Sequence, residues 1–429
     1  MRYILAATVL FSSSVAHAQT KLFVLLTGAT GSSCTWTDCE PSYVIEIDVE
    51  GRRIVNRTIV SNVREQPSLP AITPDGRYLM WGGRDGPIST AYFSAFDNVA
   101  RTTWVTLPLS AYGNPGPDVA AHPTRTRAYV TYRDQVRVLE PSTDRSFPAG
   151  CDYPRLYDLS GDGSRLMTHC VTTLPGTTRV FDSETGALLA TLAGTSFIGT
   201  LNQDGTELIS VEYAGPMEVR RYDVATGAVL QTGIIGAVGD SAQRVVVDPR
   251  TGRLYVSAQS ALLVVDGSTL AEQARLPTAL SPHVAFVADA PRAYVASRTE
   301  GTSPRPGTRI TVLDTDRLVI EEQVDLPVSS GPAGLVVAPK PIAVQTLASQ
   351  VSGQHVTLQW VAPADPNRWA YRVEVGFTPG AVDLYFDVPP NLSSYSVAAV
   401  PPGTYYVQIR SLNAVTSSVA TSQIRVDVP

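Results

Sequence analysis

A recurring unit of about 40 to 45 residues is the sequence feature that most constrains how this chain can fold. The clearest copy spans residues 159–192, where an Asp-Gly turn (Asp162-Gly163), a short apolar strand, a second strand and a Thr-Gly turn (Thr185-Gly186) follow one another. Short alternating strands joined by such turns are typical of a small antiparallel sheet. About four strands repeated at this period indicate a β-propeller.

Seven copies of the unit align on the acidic residue that closes the third strand of each copy. Neighbouring closing residues are separated by between 41 positions (Asp182 to Asp223) and 49 positions (Asp48 to Asp97). The complete set is Asp48, Asp97, Glu140, Asp182, Asp223, Asp266 and Asp314. The second strands are expected at 22–26, 77–81, 128–132, 165–169, 207–211, 254–258 and 293–297. The sequence therefore predicts an all-β fold with a seven-bladed β-propeller over residues 19–339.

The repeated aspartates are interpreted as turn residues rather than catalytic acids. Asp75, Asp162 and Asp204 each precede a glycine just before a second strand, where the turn needs a positive φ and the carboxylate can bond its own backbone. The closing aspartates begin Thr-Gly or Ser-Thr turns and are interpreted as caps of those turns.

The two ends of the repeat region predict how the ring is completed. The first unit begins directly with a second strand, 22–26, whereas the segment 334–338 reads as a first strand with no second strand after it. We expect these two segments to pair, because an open ring would expose strand edges.

The composition and the N-terminal sequence restrict the cellular location of the protein and the partners that it can bind. The net charge is −6 and no basic run is present, which argues against nucleic acid as a partner. Residues 1–18 contain Arg2, a short apolar run and a small-x-small site at Ala16-His17-Ala18, the pattern of a signal peptide. The mature protein is expected to be exported, periplasmic or secreted, with no transmembrane segment and an unknown oligomeric state.

Four cysteines in an exported chain suggest disulfides. Of the three possible connectivities, the favoured one joins Cys34 to Cys39 and Cys151 to Cys170, since both bridges would be local. The Cys-x4-Cys spacing also resembles half of a metal site, but no matching pair accompanies it, so no metal is predicted.

One position per unit, at the start of each first strand, should converge at one end of the central channel and form a ligand site. Among these positions, Asp118, Arg155, Arg244 and His283 suit a small anionic or polyhydroxylated ligand, because arginine offers bidentate hydrogen bonds. The alternative is that they are solvated loop residues. The converging positions are Ser68, Asp118, Arg155, Phe197, Gln243 or Arg244, His283 and Ala333.

Two segments resemble known families. The phrases at 75–79, 251–257 and 310–315 resemble the bacterial seven-bladed propeller repeat named for its Tyr-Val-Thr-Asn signature, whose nearest form here is at 129–132. That superfamily includes lactonases, quinoprotein-like enzymes and binding proteins. Residues 341–429 resemble a fibronectin type III β-sandwich, with Trp360 as core tryptophan and Tyr405, or alternatively Tyr406, as corner tyrosine. This module is interpreted as a spacer or a packing partner.

Three functional hypotheses follow. The first is a non-catalytic binding protein that engages an unknown protein, glycan or small polar ligand through channel-mouth residues and the rim loops 27–42 and 298–308. The second is a lactonase-like hydrolase, for which His283 and Asp118 form the one candidate catalytic pair. A structural role in an envelope assembly is the third. No cofactor is predicted, because a quinone needs tryptophan floors and Trp36, Trp81 and Trp104 do not follow the repeat.

Overall fold

The computed structural model describes residues 20–26, 42–49, 53–61, 69–85, 90–109, 118–140, 143–151, 154–170, 176–196, 198–212, 216–259, 261–299, 307–326, 328 and 331–429. These ranges contain 35 β-strands, β1 to β35 in chain order. Contacts divide them into two compact units. One contains 22–74 and 78–337, and the other contains 338–429 together with 20–21 and 75–77.

Within the described ranges of the larger unit, the strands form seven antiparallel sheets of four strands. The first sheet contains β1 (Lys21–Leu26), β2 (Ser42–Asp48) and β3 (Arg53–Ser61). The second contains β4 (Ala71–Ile72), β5 (Tyr78–Asp85), β6 (Thr90–Asp97) and β7 (Thr102–Leu109), and the third β8 (Val119–Ala121), β9 (Ala128–Tyr132), β10 (Gln135–Leu139) and β11 (Asp144–Pro148).

The fourth sheet contains β12 (Pro154–Leu159), β13 (Arg165–Cys170), β14 (Thr177–Asp182) and β15 (Leu188–Ala193), and the fifth β16 (Ile198–Leu201), β17 (Glu207–Val211), β18 (Met217–Asp223) and β19 (Val229–Ile235). The sixth contains β20 (Arg244–Val247), β21 (Leu254–Ser257), β22 (Ala261–Val265) and β23 (Glu272–Pro277), and the seventh β24 (Leu280–Phe286), β25 (Arg292–Arg298), β26 (Thr308–Asp314) and β27 (Val319–Leu326). The second strands expected from the repeat are confirmed in all seven sheets.

The first sheet receives its fourth strand from a segment that begins 311 residues after Lys21, the first residue of β1. Strand β28 (Pro332–Val337) pairs antiparallel with β1, placing Leu335 opposite Val24 and Val337 opposite Leu22. The pairing expected from the sequence is therefore present.

Neighbouring sheets share apolar cores, which explains why the middle strands are buried on both faces. Strand β22 is buried along its whole length, and its side chains alternate between a core shared with the fifth sheet and one shared with the seventh. A further cluster joins the seventh sheet to the first, through Tyr294 and Ile310 on one side and Leu22 and Tyr43 on the other. Burial on two faces favours the β-branched and aromatic residues found here.

The turn aspartates cap their turns as expected. Asp75, Asp162 and Asp204 each accept the backbone N–H two residues further on, at 3.1, 2.9 and 3.0 Å. The glycines beside them have φ between 69° and 75°. Among the closing residues, Asp182 accepts the N–H of Thr185 at 2.7 Å, and this bond is the main reason that its pKa is lowered. These carboxylates therefore stabilise the turns.

The smaller unit contains a sandwich-like pair of sheets over 347–428. One sheet has β29 (Leu347–Ser352), β30 (His355–Trp360) and β33 (Ser394–Val397), and the other has β31 (Ala370–Gly376), β32 (Leu384–Val388), β34 (Gly403–Leu412) and β35 (Ile424–Val428). Trp360 is buried in their shared core and meets the Tyr371 ring edge-on at 5.2 Å. The Tyr405 hydroxyl donates to the Pro401 carbonyl at 2.9 Å.

The part of the chain that the structure describes contains no helix long and apolar enough to cross a bilayer.

Candidate functional site

The first strands of neighbouring sheets lie next to one another in the larger unit. Contacts link β4 to β8, β8 to β12, β12 to β16 and β16 to β20, and also link β24 to β28. Polar residues at the starts of these strands are thereby brought close together. Of the expected site positions, Ser68 and Phe197 lie outside the described residues, while Ala333 lies in β28 and the exposed Gln243 precedes β20.

Asp118 and Arg155 form an ion pair between the third and fourth sheets. The Nε of Arg155 lies 2.8 Å from Oδ2 of Asp118, and the backbone N–H of Asp118 donates to the Thr131 hydroxyl at 3.0 Å. Burial raises the pKa of Asp118, and the Arg155 guanidinium partly opposes that rise. The main role of both side chains is therefore to hold the third and fourth sheets together.

Asp158 makes a similar connection between the fourth and fifth sheets. Its Oδ1 accepts the N–H of Leu159 at 2.9 Å, and its Oδ2 accepts the N–H of Leu201 at 3.2 Å and the hydroxyl of Thr200. A bulge between Leu156 and Asp158 interrupts the alternation of β12. Burial raises the pKa of Asp158, and the Thr200 hydroxyl opposes the rise.

Arg244, the first residue of β20, differs from these groups because its guanidinium is uncommitted. It makes no side-chain hydrogen bond and no ion pair within 4.0 Å to any described residue. Asp158 and Asp118 act on it electrostatically from a greater distance, while burial lowers its pKa. Since an arginine remains protonated in proteins, the site holds a cation with open N–H donors.

His283 in β24 lies within the electrostatic range of Arg244. Burial, and secondarily the charge of Arg244, lower the pKa of His283 to about 3. Its Nδ1 is buried and has no hydrogen-bond partner among the described residues. The imidazole is therefore neutral at ordinary pH.

The structure does not join His283 to Asp118 directly. No hydrogen bond or ion pair between them is found in the described ranges, and Arg244 is the group that interacts electrostatically with both. A general base normally lies within about 2.6 to 3.2 Å of its partner or one water away.

A cavity of about 240 Å³ opens beside Arg244. Its charged lining residues are Arg244 and Asp158, and both oxygens of Asp158 are already hydrogen-bonded. Thr200, Asn202 and Gln203 line another part, and the remaining wall is largely apolar, with Val284 and Phe286. This arrangement provides one open cation next to an apolar surface.

A disulfide fixes the strand that carries Arg155 and Asp158. Cys151 and Cys170 are bonded, as expected, and Cys170 lies opposite Pro154 at the start of β12. In the next register position Arg155 lies opposite His169, whose Nδ1 is 3.0 Å from the Thr178 hydroxyl. The other predicted bridge, Cys34 to Cys39, lies outside the described residues.

Sequence reasoning missed Asp158. The signal was present as a carboxylate inside the apolar strand Leu-Tyr-Asp-Leu, but strict alternation does not place it with Arg155 because the bulge changes the phase. Within the described ranges, no group of three His, Cys, Asp or Glu side chains is arranged to hold a metal ion.

No family model and no curated protein matches the sequence. Among solved structures, hydrazine synthase of Kuenenia stuttgartiensis is similar, with 17% identity and a TM-score of 0.50 over 70% of this chain and 96% of that one. The dihydro-heme d1 dehydrogenase NirN, in complex with DHE, has 13% identity and a TM-score of 0.48 over 77% of each chain. The first likeness concerns the fold alone, and the chain has an all-β, propeller-like architecture.

Proposed function

We propose that this protein is an exported, non-catalytic binding protein in which a seven-bladed β-propeller takes a small polar ligand at the first-strand cluster of Asp118, Arg155, Asp158, Arg244 and His283. Its propeller repeat is of the Tyr-Val-Thr-Asn type and spans 19–339. A fibronectin type III module follows over 341–429. The partner class is a small polar molecule, or a glycan or protein that offers such a group.

Three observations support a closed ring of seven blades. The larger unit has seven four-stranded sheets, β28 completes the first of them, and one apolar cluster joins the seventh sheet to the first. A ring sealed in this way leaves no blade face open to water.

The smaller unit supports the second module. A three-stranded and a four-stranded sheet share one core around Trp360, and the Tyr405 hydroxyl bonds a carbonyl four residues upstream. A tyrosine corner of this kind is typical of immunoglobulin-like sandwiches.

Export is supported by the sequence of residues 1–18 and by the Cys151–Cys170 disulfide. Disulfides persist in oxidising compartments. A chain secreted with its leader removed would begin near Gln19.

The open guanidinium of Arg244 is the observation that carries the binding function. Neighbouring carboxylates are occupied by Arg155 or by backbone N–H groups, whereas Arg244 faces a cavity with no partner among the described residues. Arg244 is partly buried, and its burial disfavours the charged guanidinium, so a ligand that supplies acceptors to its N–H groups would stabilise the cation.

The test is a thermal-shift screen of the chain lacking residues 1–18 against sugars, polyols, amino acids and organic acids. We expect at least one compound to raise the melting temperature of the wild type and not that of Arg244→Gln. At a concentration of 100 times Kd, the stabilisation should be about 2.7 kcal/mol. Arg317→Gln, which changes an exposed arginine in the turn before β27, is the matched control. Equal responses in all three proteins, or no response in the wild type, would contradict the proposal.

The lactonase hypothesis gains no support from the geometry. A histidine with a pKa of about 3 is a weak base at neutral pH, and efficient general bases have a pKa near the working pH. A lactone panel assayed with wild type and His283→Gln addresses it directly.

A further inference from the structure

The cavity beside Arg244 restricts the charge of the ligand, and this inference rests on the binding function proposed above. Two charged side chains line that cavity, Asp158 and Arg244. Both oxygens of Asp158 accept hydrogen bonds from the protein, so they offer little to a cationic ligand. Arg244 offers donors and therefore selects an anion.

The nearby carboxylates restrict the number of negative charges. Asp158 and Asp118 both interact electrostatically with Arg244, and burial places them in surroundings of low dielectric constant. A second negative charge on the ligand would share the cavity with Asp158, with one uncommitted arginine to balance it. Like charges within one cavity disfavour the bound state.

The apolar lining of the cavity restricts the rest of the ligand. Val245, Val247, Val284 and Phe286 line the cavity together with the Thr200 side chain. The volume of about 240 Å³ lies below the roughly 300 to 1,000 Å³ of sites that hold drug-sized ligands. A short hydrocarbon or a single ring fits these limits.

We propose that the cavity binds a small organic monocarboxylate, with the carboxylate on the guanidinium of Arg244 and the hydrocarbon part against Val284 and Phe286. The planar fork of arginine matches the two oxygens of a carboxylate. The apolar part of the ligand leaves water when it enters.

The experiment uses matched ligand pairs, so that the wild type alone can decide the matter. Butanoate, hexanoate and benzoate are compared by calorimetry with their primary amides, with succinate, with butylamine and with glucose. We expect each monocarboxylate to bind the wild type about tenfold or more tightly than its amide, because hydrogen bonds between charged groups are worth more than neutral ones. Hexanoate should bind more tightly than butanoate, because its longer chain removes more apolar surface from water.

Three variants locate the contact. Arg244→Gln should lose the preference for the carboxylate over the amide, Phe286→Ala should lose the preference for longer chains, and Arg317→Gln should behave like the wild type. Circular dichroism of each variant establishes that it is folded. Two results would overturn the proposal that the ligand is a monocarboxylate. One is that the wild type prefers the amide, the amine or the dicarboxylate. The other is that folded Arg244→Gln keeps the wild-type preference for the carboxylate.

Failure of this inference is distinguishable from failure of the binding function. If glucose or another neutral compound binds the wild type and binding is lost in Arg244→Gln, the ligand class is wrong and the site stands. If no compound of the panel or of the wider screen binds at Arg244, both are wrong.

Discussion

The carboxylate of Asp158 accepts the backbone N–H of Leu201 at 3.2 Å, so that a side chain of the fourth sheet holds the first strand of the fifth. The Asp118–Arg155 ion pair does the same between the third and fourth sheets. Three charged groups of the first-strand cluster, Asp118, Arg155 and Asp158, therefore hold neighbouring sheets together, and Arg244 is left as the charged group open to a ligand.

Asp158→Ala should destabilise the protein by about 2 to 3 kcal/mol, because the buried N–H of Leu201 and the hydroxyl of Thr200 lose their acceptor. Asp158→Asn should cost about 1 kcal/mol or less, since its amide oxygen still accepts a hydrogen bond. Urea unfolding of both variants at pH 7 measures the difference. Equal losses would show that the acceptor is unimportant.

Asp158 should also make the stability of the protein depend on pH. Because the folded pKa of Asp158 is raised, its contribution to stability is largest below the unfolded value of 3.8 and is lost as the pH rises through the folded pKa. The wild type should therefore gain stability relative to Asp158→Asn as the pH falls from 7 towards 4.

His283 should act in the opposite direction. Its folded pKa is about 3 against 6.5 for the free side chain, so the unfolded chain binds the proton first and stability is lost as the pH falls below 6.5. Since each pKa unit is worth about 1.4 kcal/mol, His283→Gln should remove on the order of 3 kcal/mol of this loss between pH 7 and pH 4.

Proton NMR of the His283 ring provides the direct measurement. Its resonances should not titrate between pH 5 and 8. A titration midpoint near 6.5 would contradict the burial of His283 and would make this histidine a possible general base again.

Removing the disulfide with Cys151→Ala and Cys170→Ala should cost about 3 kcal/mol. The bridge spans 19 residues, and the loop entropy that it removes from the unfolded chain is of that size. The double variant should also bind the cavity ligand more weakly, because β12 carries Asp158, which lines the cavity. The wild type with its disulfide reduced is the control, and it should unfold at the same urea concentration as the variant.

Tyr405→Phe should destabilise the smaller unit by about 1 kcal/mol, since it loses the hydrogen bond to the Pro401 carbonyl. Tyr406→Phe is the matched control and should have a smaller effect. Thermal unfolding followed by tryptophan fluorescence measures both. A larger effect at Tyr406 would favour the alternative corner tyrosine.

The repeat made most of the fold predictable, because each unit carries its own turn chemistry in local sequence. Asp162-Gly163 and Thr185-Gly186 determine where strands begin and end, and the structure has its strands there. The candidate site was predicted less completely. The repeat placed four of the cluster's residues by their phase: Asp118, Arg155, Arg244 and His283. It did not place Asp158, because a bulge in β12 changes which way this side chain faces. The hydrogen-bond partner of Asp158 is the backbone N–H of Leu201, which no sequence pattern marks.

The pairing of β28 with β1 has a consequence for biosynthesis. During synthesis the first sheet stays incomplete until Val337 has been made. The backbone N–H and C=O groups along the edge of β1 therefore remain unpaired while the rest of the larger unit is synthesised. Export in an unfolded state, followed by folding of the finished polypeptide, would avoid that exposure, and a chaperone that shields the edge of β1 would serve the same purpose.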